Sequence, residues 1–384
     1  MAQDDHNPSS LTGNPYESPQ DNPPEDGKTD DSTPVQRWPP QPNLPMALVW
    51  TIGLMVIQIV VGAVIGIGLL VIGATFYNEG PSPDGQLPPW MTNILIPIAT
   101  LTTLASAIAV AALYYRGQTG RRIAWRFCSM TQLVIVLLSV IPMATVASEV
   151  VNWAAEFLPH FNAEVFLSFS QQPFLIVFLA ACVLPGLGEE IFFRGFMHHG
   201  LSKRYGMALS ILVTSLLFGI MHVDPVQSCG AAFLGLWLHY LVWHTESLAA
   251  PIILHILNNT LAFVSMRFAD QLPVPGLNYS EPDTITHTPP LLLLAALAAV
   301  IPLAIAIWQS RTYWVLPDGT RWVSDFDEPS TPDKDLQARA SHDNASILTW
   351  LAIAITFSLF LAAVLFASQS VSELTVERLL ARHS

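Results

Sequence analysis

Gly188-Glu189-Glu190-Ile191-Phe192-Phe193-Arg194 sets two adjacent carboxylates and a guanidinium at the end of an apolar run that begins near Pro173. Ionised groups are costly inside a bilayer, so charges at this place point to function. In a helix, Glu190 and Arg194 stack at i and i+4 and can pair. Glu189 then turns about 100° away and faces another surface. That division leaves Glu189 to act as a general base on water in a partly dehydrated site. The plainer alternative is a charged helix end whose Glu190 and Arg194 pair in the membrane interface. Two further apolar runs carry polar groups. Phe218-Gly-Ile-Met-His222 closes a run with no charged residue after Arg204, and His255-Ile-Leu-Asn-Asn259 puts His255 and Asn259 on one face. A histidine and an asparagine fixed in a water-poor site can donate to a developing oxyanion. They can equally be interhelical glue.

The His255 to Asn259 spacing is not the His-Glu-x-x-His pattern of a zinc helix, because the carboxylate comes from a different segment. Glu189, His222 and His255 together would still supply two imidazoles and one carboxylate, a set used by hydrolytic zinc. Zinc therefore stays open as a cofactor, ranked below metal-free Glu and His chemistry.

These residues need a membrane to position them. The chain is 52% hydrophobic and only 12% charged, which is far from a soluble average. Runs long enough to cross a hydrocarbon core of about 30 Å fall near 46–77, 91–115, 131–152, 173–195, 207–223, 229–243, 247–265, 289–308 and 346–367. The expected fold is all-α: a polytopic transmembrane bundle of eight to nine spans. Its organisation reads as a disordered cytoplasmic tail at 1–43, N-terminal transmembrane helices at 44–172, site-bearing helices at 173–265, and C-terminal helices at 266–384 with a cytoplasmic loop at 309–345. Of the net charge of −13, residues 1–43 contribute −6 and residues 311–344 contribute −3. The acidity thus belongs to exposed segments and suggests no nucleic-acid partner. With the N-terminus in the cytoplasm, thirteen Lys and Arg fall inside and three outside, as the positive-inside rule requires. A multi-pass protein of the plasma (inner) membrane follows. Cys128, Cys182 and Cys229 match neither a disulfide framework nor a zinc motif.

Outside the site, Tyr313–Leu316 and Arg321–Val323 around Asp318-Gly319 read as a hairpin. His198 and His199 are expected to face headgroups, His239 and His244 to be packing or interfacial groups, and Glu149, Asn152 and Asp224 to reach water. A turn near Leu201 creates a conflict: it leaves Glu189 and His222 12 and 21 residues away, a depth mismatch of about 13 Å. If the two share a site, Phe196 to Tyr205 is no simple tight turn, or the fifth helix is displaced inward.

The three segments resemble the CPBP intramembrane proteases, which include the type II CAAX prenyl endopeptidases and the lysostaphin-resistance-A-like proteins. Glu189, Glu190 and Arg194 match the motif Glu-Glu-x-x-x-Arg; Phe218 and His222 match Phe-x-x-x-His; His255 and Asn259 match His-x-x-x-Asn. The resemblance runs from about Pro173 to Phe263. It implies an endopeptidase acting on a membrane-associated protein or peptide, by CAAX-type or leader-peptide processing. Glu189 and His222 would activate water, His255 and Asn259 would hold the oxyanion, and Glu190 and Arg194 would support them. The family has been described both as glutamate proteases and as metalloproteases. A proton-coupled transporter or a non-catalytic membrane scaffold would use the same polar residues differently. Inverted repeats would favour a transporter, and none is evident.

Overall fold

Each apolar run becomes a helix, because a chain without water must satisfy its backbone polar groups internally. The computed structural model describes residues 42–78, 80–81, 87–115, 119–159, 167, 169–269, 271, 274–277, 285–323 and 332–383. The expectation of disorder for 1–43 lies outside these residues up to position 41. Asn43 belongs to the first helix, whose Met46 N–H it caps at 3.0 Å.

Helix α1, Leu44–Ile72, ends in a π-helical turn, Gly73–Tyr77. Helix α2 is Pro89–Tyr115, α3 the short Thr119–Arg122, and α4 Met130–Phe157, opened by a Ser129/Gln132 capping box. Helix α5 runs from Phe174 to Tyr205 and alternates α turns with two π segments, Phe178–Val183 and Ile191–Met197. Then come α6 (Met207–Ile220), α7 (Pro225–Thr245), α8 (Ala249–Arg267), α9 (Pro290–Gln309) and α10 (Ile347–His383). Strands β1 (Thr312–Val315), β2 (Arg321–Trp322) and β3 (Arg339–His342) form an antiparallel sheet in the order β2-β1-β3. The hairpin turns at Gly319, φ +87°. Strand β3, a polar Arg-Ala-Ser-His segment, carries no alternation that would have marked it.

Seven of these helices are long and apolar enough to cross a membrane, which makes the chain an integral multi-pass protein. The sequence reading of eight to nine spans counted α6 and α7 as two more. Helix α6 has 14 residues, about 21 Å, and α7 dilutes its apolar residues with Gln227, Ser228, His239, His244 and Thr245. The two pack on each other as a hairpin. Helix α4 is the central element, with 67% of its spanning window buried against 6% in α1. The long apolar side chains of α1, among them Ile59, Val64 and Ile67, point outward, as lipid-facing residues do.

The turn before α6 lies at Gly206, φ +81°, not near Leu201. Phe196 to Tyr205 is helical, so Glu189 and His222 stand 17 and 16 residues from the true turn and the depth mismatch disappears. The basic residues Lys203 and Arg204 hid this last helical stretch from a hydropathy reading. Its extension also corrects the placement of His198 and His199. His199 is buried beside Tyr115, and the His198 ring stands 5.1 Å from that of His239.

The loops gather at two ends. At the basic end, Arg126 donates to Thr245 O at 2.8 Å and stands 3.7 Å from Glu246, while Trp314 Nε1 donates to Glu246 at 2.7 Å. Arg121 pairs with Asp333 at 2.8 Å. At the other end, His287 reaches Glu149 and Glu156 through its two ring nitrogens, at 2.8 and 2.9 Å. Glu149 and Asn152 are buried there rather than in water: Thr288 N–H donates to Glu149, and Asn152 donates to Gly276 O. Asp224, also expected in water, is buried as the N-cap of α7, accepting from Val226 and Gln227 at 3.0 Å.

Burial pushes the Glu246 carboxyl up to about 7, against the opposing pull of Arg126, Trp314 and Lys203. A raised folded-state value means the folded chain keeps a proton that the unfolded chain, titrating near 4.3, gives up. The stability from this group is complete below that value and is lost as pH rises through about 7. Thermal unfolding in detergent is expected to fall between pH 5 and pH 8, and Glu246→Gln is expected to flatten that slope. An unchanged slope in the variant would refute the assignment.

Candidate active site

Two π segments shape the helix that carries the carboxylates, a feature frequent at functional sites. Each has a carbonyl taken by a side chain from another helix: Ala181 O accepts from Asn259 Nδ2 at 3.1 Å, and Phe196 O accepts from Tyr115 at 2.8 Å. Between them, Gly188 lets α5 press against α2, since a Cβ there would lie 2.9 Å from the Leu104 backbone. Gly186 similarly leaves room for Ile256 of α8. Close approach of this kind is how membrane helices gain packing energy.

Glu190 sits behind the site with its side chain fully buried. Its Oε1 accepts from Arg194 Nη1 at 2.8 Å and also from His255 Nδ1 at 2.8 Å. Because a carboxylate paired with a guanidinium only accepts, the His255 proton at this contact lies on Nδ1. His255 Nε2 then points at Glu189, 3.8 Å from Oε2. One imidazole therefore joins both carboxylates. Glu189 is 13% exposed, and its Oε2 has no protein hydrogen-bond donor.

Arg194 is buried and multiply held. Besides Glu190, its Nε donates to His239 Nδ1 at 3.2 Å, its Nη2 donates to Gly235 O at 3.3 Å, and its Cζ lies 4.3 Å from the centre of the Phe218 ring. A guanidinium has only donors, so His239 accepts at Nδ1 and carries its proton on Nε2, toward Thr214 Oγ1 at 2.7 Å. Thr214 Oγ1 in turn donates a hydrogen bond to Ser210 O at 2.5 Å. With Nδ1 accepting, the 3.1 Å approach of His239 to Gly235 O is a contact rather than a hydrogen bond. The sequence reading placed His239 among packing or interfacial residues. Its only sequence signal was polarity within an apolar run, and Thr214 had none. His239→Leu is expected to leave the Nε–H of a buried guanidinium unpaired, a cost of about 1–3 kcal/mol readable by thermal unfolding in detergent. Thr214→Val is expected to cost less, because it removes a neutral partner.

His222 stands just beyond the end of α6, with Nδ1 bonded to Phe218 O at 2.9 Å, which leaves Nε2 as an acceptor. The turn that follows is strained. Val223 has φ +64°, a conformation that β-branched residues avoid, and Asp224 N–H reaches back to His222 O at 2.6 Å. Phe218 ties the histidines together, its ring edge-on to His222 at 5.0 Å and to His255 at 5.7 Å.

Glu189, His222, His255 and Asn259 line one cavity of about 610 Å³. Glu190 and Arg194 stay behind its wall. Among the described residues no three His, Cys, Asp or Glu side chains form a group able to hold a metal ion. His255 Nδ1 is held by Glu190 and His222 Nδ1 by a backbone carbonyl, which leaves Nε2 as the free nitrogen of each ring. Such backing by a carboxylate and a carbonyl is compatible with ligation through Nε2, although in this structure these side chains do not converge with Glu189 on one point.

The fold and the cavity together define a helical membrane protein with a paired-carboxylate and histidine centre buried within the bundle. Residues 171–261 match the family profile described as type II CAAX prenyl endopeptidase Rce1-like. The matched stretch holds all three motifs and covers about a quarter of the chain. No curated protein and no solved structure matches the chain.

Proposed function

We propose that this protein is an intramembrane endopeptidase that hydrolyses a peptide bond of a membrane-associated polypeptide with water activated by Glu189. The observation that carries the reading is the partition of the carboxylates. Oε2 of each carboxylate has no protein donor, but Glu190 Oε1 is shared by Arg194 and His255 behind the cavity wall, whereas Glu189 has no guanidinium partner and lines the cavity of about 610 Å³.

In this reading Glu189 takes a proton from water, and the oxygen attacks the carbonyl carbon of the scissile bond. His222 Nε2, left as an acceptor, orients that water. The developing oxyanion is met by His255 Nε2–H and by the second N–H of Asn259, whose first is held by Ala181 O. Two carboxylates face one guanidinium here, so a doubly protonated His255 between them brings the buried charge to zero. Collapse of the tetrahedral intermediate breaks the C–N bond, and Glu189 returns the proton to the leaving amine. Water contributes one hydroxyl to the new carboxylate and one proton to the new amine, and no acyl-enzyme forms.

Comparison of membrane-protein termini between cells carrying the wild type and cells carrying Glu189→Gln tests the reading. Termini that vanish in the variant support it, and identical sets of termini would overturn it. Cleavage in H₂¹⁸O is expected to place one ¹⁸O in the new carboxylate.

A further inference from the structure

The cavity at Glu189 extends toward one end of the bundle only. On α5, residues before Glu189, such as Ala181 and Pro185, line it. Those after Glu189 are packed shut: Phe192, Phe193, Phe196, Met197 and Leu201 are each at most 1% exposed. Helix α8 runs the other way and shows the same division in reverse. Leu254 and Ala250, before His255, are fully buried, while Asn258, Ala262 and Met266, after it, line the cavity. On α4 the lining begins at Ala144 and continues through Ser148 and Asn152 to Ala155. Three helices of alternating direction thus agree that open space leads from Glu189 to the end where His287 meets Glu149. Toward the opposite end the way is filled, with Phe196 boxed by Trp50, Tyr114 and Tyr115.

That filled end carries the basic loops: Arg121, Arg122, Arg126, Lys203, Arg204, Arg311, Arg321, Lys334 and Arg339. The cavity end has Arg267, which donates to Ser170 O and Gln172 O, and α10, which leads away from the basic end, carries Arg378 and Arg382 in its last turns. Loops rich in Lys and Arg stay in the cytoplasm. Counting α6 and α7 as spans or as a buried hairpin leaves this unchanged, because two helices preserve the parity of every later loop.

We infer that the polypeptide substrate reaches Glu189 from the non-cytoplasmic face. Its class is then a membrane-anchored or translocated chain whose scissile bond lies in the outer half of the bilayer or just beyond it, not the lipidated C-terminus of a cytoplasmic protein. The lining fits an extended segment of apolar residues: Ala99, Ala144, Ala147, Ala180 and Ala262 leave the space, and Ile96 and Phe263 bound it. The substrate class rests on the endopeptidase reading; the direction of access does not.

The test uses the full chain in cells, with Cys128, Cys182 and Cys229 changed to Ser and one cysteine introduced at a time. Ala262→Cys and Ala155→Cys report on the cavity, and Val323→Cys, on the exposed hairpin, reports on the basic end. A membrane-impermeant maleimide is expected to label both cavity positions in intact cells, and Val323→Cys only after permeabilisation. Cavity positions that are labelled only after permeabilisation, or not at all, would overturn the inference. So would labelling of Val323→Cys in intact cells. The comparison of termini separates the two layers. Glu189-dependent cleavage confined to cytoplasmic segments would overturn the substrate class and leave the endopeptidase reading intact. A set of termini indifferent to Glu189 would overturn that reading while the labelling pattern stood.

Discussion

Reconstituted Glu189→Gln protein is expected to bind its substrate and fail to cut it, with kcat reduced by about 10²–10⁴-fold, the range of a positioned general acid–base. The amide keeps the shape of the side chain and cannot accept a proton. Because Glu189 is partly exposed to the cavity and is not the partner of Arg194, the folded state has little reason to suffer, and thermal unfolding should stay near that of the wild type. Glu190→Gln is expected to behave differently. It removes the charge that compensates a buried guanidinium and the acceptor that holds His255, so stability and cleavage fall together. If the two variants were indistinguishable in both measurements, the assignment of unequal roles to the two carboxylates would fail.

Arg194→Met is expected to produce the largest loss of stability, about 3–5 kcal/mol, the cost of stranding a buried charge by deleting its partner. Glu190 would keep only His255, and the carbonyl of Gly235 and His239 Nδ1 would lose their donor. Lysine is no substitute, since a point-like ammonium cannot reach three acceptors arranged around a planar fork. The combination Glu190→Gln with Arg194→Met removes both charges. It is expected to recover a substantial part of the stability without recovering cleavage, a coupling measurable as a double-mutant cycle in detergent. Additive losses would mean that the 2.8 Å pair is not the structural support of the site.

Much of the fold was legible in the sequence, because transfer of an apolar run into hydrocarbon depends on composition along that run and on little else. The nine apolar runs all became helices, most with ends shifted by a few residues. The larger displacements came where a helix continued through polar residues: α5 persists through His198-His199 and Lys203-Arg204 to Tyr205, and α10 runs on from the expected end at 367 to His383. There hydropathy marks a membrane boundary while backbone hydrogen bonding goes on regardless. The same confusion of polarity with exposure misplaced His199, Glu149, Asn152 and Asp224. All four are buried, because each finds a partner inside the protein, and a paired polar group loses its reason to seek water.

By itself the sequence determined the helices, the i, i+4 pairing of Glu190 with Arg194, and the separation of Glu189 from that pair, since these depend on periodicity within one segment. Only the tertiary structure decided which carboxylate holds His255. Glu190 takes Nδ1 and turns Nε2 toward Glu189, and His239 with Gly235 and Thr214 completes the cage around Arg194. It also decided that the cavity is open on one side of Glu189 and packed on the other. Those outcomes depend on how far apart the helices stand and how each is rotated about its axis. Contacts such as Gly188 against Leu104, made between residues distant in the chain, set both, and no period within a single helix encodes them.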